Sequence, residues 1–301
     1  MSESFKGQLL CSLAMVLVGS TVVVSKVIGA DVEPFLATAL RHAIALPVFL
    51  VLMRASGQRL PRFDQRDAAL LLVQAAAGSV GYTVLLMVGV LLAGAAETSI
   101  VTGTLPAVSA LFAVVFLRER PGWRLAMAIL LATSGVVAVT LSPAPLSAAP
   151  SRLTGIALVL AAIACEAAFV LANKRLTRPV PALPLSMLMC AGGLALSAVP
   201  AWLSAAAHPS TLTHAALAGI AYYALVPTVG GFLLWYAGSA RTSGARAALA
   251  TVWMPVSALL LSALVLHEPI GAWQWLGLAC VVLATVSASA AGPIKRVAQP
   301  S

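Results

Sequence analysis

Glu166, Phe169 and Asn173 follow one another at i, i+3 and i+7 in a mostly apolar run. That spacing puts all three on one face of a helix. A carboxyl so placed either meets a substrate amine or a proton, or hydrogen-bonds within a helical bundle. Arg41 and His42 stand in a second apolar run. A guanidinium there pairs with a substrate carboxylate, or reaches to the membrane boundary and ties helices together. Gln74, Gly78 and Tyr82 recur at i, i+4 and i+8, a stripe that serves close helix packing or a cavity wall. Tyr82 and Trp253 lie near the middle of apolar stretches and are expected to face a cavity. Trp123, Trp202, Trp273 and Trp275 instead fit the aromatic belt at a membrane boundary.

No catalytic constellation accompanies these groups. The chain has no HExxH, serine elbow or paired carboxylates, and Cys11, Cys165, Cys190 and Cys280 form no CxxC. The expectation is a non-enzyme with no catalytic residue, no cofactor and no metal; a membrane-embedded enzyme is the alternative of another class. With no P-loop and no room for a nucleotide domain, ATP-driven transport is set aside.

The elements that position these residues follow from hydropathy. Hydrophobic residues make up 61% of 301 and charged residues 9%, against roughly 25% charged in a soluble domain. That composition implies an all-α integral membrane protein. Its apolar runs give ten candidate spans at residues 8–28, 34–53, 68–92, 95–117, 123–141, 153–176, 183–204, 214–238, 244–266 and 272–291. The first run is longer than the apolar core of a signal peptide and is counted as a span. The net charge of +9 is spread between runs, which argues for topology rather than nucleic-acid binding. With the N-terminus inside, fifteen of the eighteen Lys and Arg fall in cytoplasmic segments, Lys26 and Arg152 fall outside, and Arg41 lies within a span. Both termini are therefore expected in the cytoplasm, with the chain in the inner membrane.

The chain also repeats itself. Pro106 precedes Glu119 by thirteen residues and Pro255 precedes Glu268 by the same, 149 residues further on. Gly89 and Gly238, Ala96 and Ala245, and Gly122 and Gly271 keep that offset, and Ser25-Lys26 answers Asn173-Lys174 at 148. Two five-span repeats result, residues 1–150 and 151–301, and an odd number of spans forces them to enter the membrane in opposite directions. Inverted repeats of this kind point to a transporter with its site between the halves. Pro106 and Pro255 are expected inside their helices, as hinges or as static kinks. Glu97 is expected to cap its own helix, Arg246 to serve topology, and Lys26 to anchor at the boundary or to gate. Glu119 and Glu268 are expected to cap or tether the loops that follow them.

This arrangement resembles the drug/metabolite transporter superfamily, in its EamA-type ten-helix exporters, over about residues 8 to 290. Gly19 with Lys26, Pro34 followed by Arg41, and the repeated Pro-to-Glu segments carry the resemblance; Val18 departs from the aromatic residue often found before that glycine. The YddG-like branch is the nearest in character, which implies export of neutral and aromatic amino acids by alternating access. A nucleotide-sugar or phosphate-ester antiporter is the alternative within the superfamily. The implied partners are a small-molecule substrate and the bilayer, with no nucleic acid, for a protein acting as a monomer.

Overall fold

Among the described residues, the apolar runs fold into helices and the short polar breaks into the turns between them. The computed structural model describes residues 3–117, 123–142, 149–207, 210–242, 247 and 249–289. Glu119 and Arg246 lie outside these residues. In chain order the helices are α1 (Glu3–Gly29), α2 (Pro34–Ser56), α3 (Gln65–Gln74), α4 (Tyr82–Ala93), α5 (Ala95–Thr102), α6 (Leu105–Leu117), α7 (Trp123–Thr140), α8 (Ala149–Lys174), α9 (Ala182–Ala207), α10 (His214–Tyr223), α11 (Gly231–Ser239), α12 (Trp253–Leu266) and α13 (Ala272–Ser289). Among the described residues, seven continuous helical stretches are long and apolar enough to cross a membrane, and three shorter apolar helices accompany them. The three shorter helices stand at the fifth, ninth and tenth of the ten runs expected from hydropathy, so each expected run carries helix where it is described.

Local chemistry sets the ends. Glu33 caps α2 by accepting from the Leu36 N–H at 2.9 Å, with Pro34 in the first turn. Asp64 caps α3 through the Asp67 N–H at 2.7 Å, and Thr213, 149 residues on, caps α10 through Ala216 at 3.1 Å. Gly94 alone separates α4 from α5, and its φ of 95° is a conformation that only glycine adopts easily.

Two spans expected as plain α-helices are interrupted, and at matching places. Between α3 and α4 the chain is π-helical over Ala75–Gly81, and between α10 and α11 it is π-helical over Ala224–Gly230. These segments are 149 residues apart. The fourth span breaks at Gly103-Thr104 and the ninth at Thr251-Val252, again with α12 resuming just beyond. Pro106 and Pro255 consequently stand in the first turns of α6 and α12 rather than well inside continuous helices. A proline there forfeits no helical hydrogen bond, so the break, and not the ring, carries the bend.

Packing joins the two repeats. At Gly238, an added Cβ would come within 2.7 Å of the Gly7 carbonyl oxygen and of Cys11 Sγ. At Gly89, its equivalent, an added Cβ would meet Val159 at 2.6 Å and the Gly155 carbonyl oxygen at 3.1 Å. The first span therefore crosses the eighth, and the sixth crosses the third, through the same close glycine contact. The fully buried Ile100 and Leu259 share a core with Leu278 and Val281 from α13, again drawn from both halves.

Candidate functional site

A buried guanidinium needs partners wherever the fold puts it, and the two π-helical segments supply them. Arg41, in α2, is 8% exposed. Its Nη2 donates to the Ser79 carbonyl at 3.1 Å and to Thr83 Oγ1 at 3.0 Å, and its Nη1 to Thr228 Oγ1 at 3.5 Å. The guanidinium carbon sits 4.5 Å from the centroid of the Tyr223 ring, a cation–π contact. Ser79 and Thr228 occupy equivalent positions in the two π segments, so one side chain bridges both. Shifting a helix to i→i+5 bonding re-aims its carbonyls and side chains, and Thr228 shows this by donating to the Tyr223 carbonyl five residues back at 2.8 Å.

His42 completes the cluster and its tautomer can be read. Arginine only donates, so His42 Nε2, 3.2 Å from Arg41 Nη2, accepts. Its Nδ1 then carries the proton and donates to the Thr38 carbonyl at 2.8 Å. The His42 ring rests against Gly193, where any Cβ would clash at 2.6 Å.

The positive charge is not balanced. Among the described residues no carboxylate pairs with Arg41, and its buried Nε has no hydrogen-bond partner. Gln74, one residue before the first π segment, is fully buried with neither amide atom partnered. Tyr82 follows that segment and lies within electrostatic reach of Arg41, Tyr223 and Glu166. Glu166, two thirds of the way along α8, reaches Tyr82, Tyr236 and Cys165 in the same sense. Arg41 and Glu166 thus both lie near the Tyr82 phenol.

The remaining candidates are placed as follows. Phe169 lies on Gly78, where a Cβ would come within 2.7 Å of its ring, and packs toward Leu71, Ala75, Leu185 and Met189. Asn173 is exposed at the last turn of α8. Trp253 opens α12 and is 49% exposed. The π segment between Gln74 and Tyr82 disturbs the simple i, i+4, i+8 face that an unbroken α-helix would give them. Sequence reading missed Ser79, Thr83 and Thr228 as partners of Arg41. The 149-residue offset that equates Ser79 with Thr228 was the available signal.

A second polar arrangement lies where α1 ends and α5 begins. Glu268 accepts from the Ala95 and Ala96 N–H groups at 3.0 and 2.7 Å and pairs with Lys26. It is Glu268, from the other repeat, that caps α5. Glu97 turns to Arg152 at 3.8 Å and to Gln274 Nε2 at 3.3 Å.

Seven helical stretches long and apolar enough to span, two copies of one irregular frame and an ionisable interior fit a multi-pass membrane transporter. The chain belongs to the EamA-like transporter family, whose pattern matches twice, over residues 5–141 and 153–290. It is similar to the uncharacterized transporter YetK of Bacillus subtilis (strain 168), at 33% identity over 271 residues, covering 89% of this chain and 82% of the relative. The fold is also similar to that of a solved crystal structure, with a TM-score of 0.64 at 20% identity, over 94% of this chain and 96% of the other.

Proposed function

We propose that the protein is a secondary transporter, not an enzyme, that exports neutral and aromatic amino acids across the cytoplasmic membrane. Residues 1–150 and 151–301 alternate access to a site between them, and both termini face the cytoplasm.

One observation carries the reading: the frame repeats and the charged poles do not. The glycine crossings, π segments and helix breaks recur at 148 or 149 residues, as the architecture requires. At the same offsets Arg41 meets Met189, His42 meets Cys190 and Glu166 meets Val18. Groups that the architecture does not need twice are free to serve the cargo. One unbalanced cation and one separate carboxyl, with Tyr82, Tyr223 and Tyr236 around them, suit a solute bearing a carboxylate, an amine and an apolar side chain. A sugar phosphate calls for several converging cations, and Arg41 is the single cation of this cluster.

Purified protein in proteoliposomes, offered labelled amino acids with and without a pH gradient, tests this. Saturable movement of neutral or aromatic amino acids is expected, weakened in Arg41→Gln. Movement of a phosphorylated sugar or a nucleotide sugar, with no amino acid moved, would overturn the substrate assignment. In Glu166→Gln, gradient dependence is expected to fall; unchanged dependence removes Glu166 as a proton site.

A further inference from the structure

We infer that Glu268 is a releasable clasp that closes the Lys26 end of the transport pathway. The inference rests on alternating access, but not on the identity of the substrate.

The geometry is specific. One carboxylate holds two first-turn amides of α5 and the ammonium of Lys26 at the end of α1. Anions are favoured at a helix N-terminus, so both attachments have the same sign. The α5 end has no cap of its own: Gly94, at the N-cap position, provides no side chain. Glu268 belongs to the second repeat, while Lys26, Ala95 and Ala96 belong to the first. A rocking of one repeat against the other therefore strains this contact directly.

The clasp sits at one end of a short lever. Helix α5 runs only Ala95–Thr102 before the break at Gly103-Thr104. Glu268 follows α12, which begins just after the break at Thr251-Val252. Both clasped segments can tilt at these breaks without bending a continuous hydrogen-bond ladder. A parallel tie reinforces the same end: Glu97 to Arg152 and Gln274, with Arg152 donating to the Ser142 carbonyl at 2.8 Å and to that of Val139.

Burial separates this end from the other. The Glu268 and Glu97 side chains are each 15% exposed. At the N-terminal end, the ion pair between Glu3 and Arg241 spans 3.7 Å with side chains 68% and 46% exposed, and pairs of that kind contribute little. Lys26 is one-third exposed, so water can replace it when the clasp opens. The arrangement holds one end shut while remaining releasable.

The test uses the full chain with Cys11, Cys165, Cys190 and Cys280 replaced and Ser25→Cys as reporter. Ser25, the residue before Lys26 in α1, is fully buried. A membrane-impermeant maleimide should label this reporter slowly. Adding Glu268→Gln, which keeps an acceptor for α5 but removes the charge, should speed labelling by about tenfold as the closed population falls. Lys26→Gln should speed it in the same direction, which guards against a folding defect peculiar to one variant; retained monodispersity and Tm confirm the fold. The Lys26→Glu/Glu268→Lys exchange should not restore slow labelling, because it sets an ammonium against the α5 N-terminus. Unchanged labelling in both single variants, or full rescue by the exchange, overturns the clasp. Absence of amino-acid transport with accelerated labelling would overturn the substrate reading and leave the clasp standing.

Discussion

At the scale of single residues, Arg41 is a buried cation with no carboxylate partner among the described residues. A cationic side chain at the centre of a span costs about 2.5–3.5 kcal/mol on insertion scales, and Arg41 meets that cost with neutral partners alone. The planar fork matters, because Ser79, Thr83, His42 and Thr228 are reached from two nitrogens at once. Lysine offers a point charge in place of the fork. Arg41→Lys is therefore expected to retain the fold but to slow transport by at least about tenfold, since a hydrogen bond to a charged group contributes about 1.5–3 kcal/mol; initial rates in proteoliposomes measure it. Gly78 makes a complementary prediction. Its missing Cβ is the space that the Phe169 ring fills, so Gly78→Ala should destabilise the detergent-solubilised protein by about 1–3 kcal/mol, read as a lowered Tm.

At the scale of elements, the π-helical segments decide where side chains point. Tyr82 N–H bonds to the Ala77 carbonyl five residues back, so everything before the segment is rotated relative to everything after it. Removing one residue converts a π turn into an α turn. Deletion of Ala76, exposed within the segment, should turn Gln74 out of register with Ser79 and Tyr82. The expected outcome is a protein still inserted in the membrane, with near-normal helicity by circular dichroism and transport reduced to background. Retained transport would show that the register does not matter. The second segment contains Pro227, which has no N–H to complete an α ladder. The first contains no proline and reaches the same geometry with Gly78 and Gly81. Two different local causes producing one shape indicate that the shape itself is what the architecture uses.

At the scale of the molecule, neither half is a complete core. The first span rests on the eighth through Gly7 and Gly238, and the sixth on the third through Gly155 and Gly89. Residues 1–150 and 151–301 expressed as separate chains should therefore reach the membrane but remain protease-sensitive alone. Expressed together they should co-purify and regain resistance; halves that are each resistant alone would contradict an intertwined core. The same intertwining sets Glu268, of the second repeat, against Lys26, Ala95 and Ala96 of the first.

The sequence by itself determined the membrane class, the ten spans, the repeat and its inversion. Each of these follows from transfer of apolar runs into lipid and from the parity of five spans, and both are local or additive along the chain. It also singled out Arg41, His42, Glu166 and Tyr82, because ionisable or phenolic groups stand out against 61% hydrophobic residues. Only the tertiary structure decided the partners of those groups. That Arg41 joins two π segments, that Glu268 rather than Glu97 caps α5, and that the prolines sit beside breaks depend on which helices cross. Such crossings are set by close contacts between residues more than a hundred positions apart, and hydropathy is silent on them.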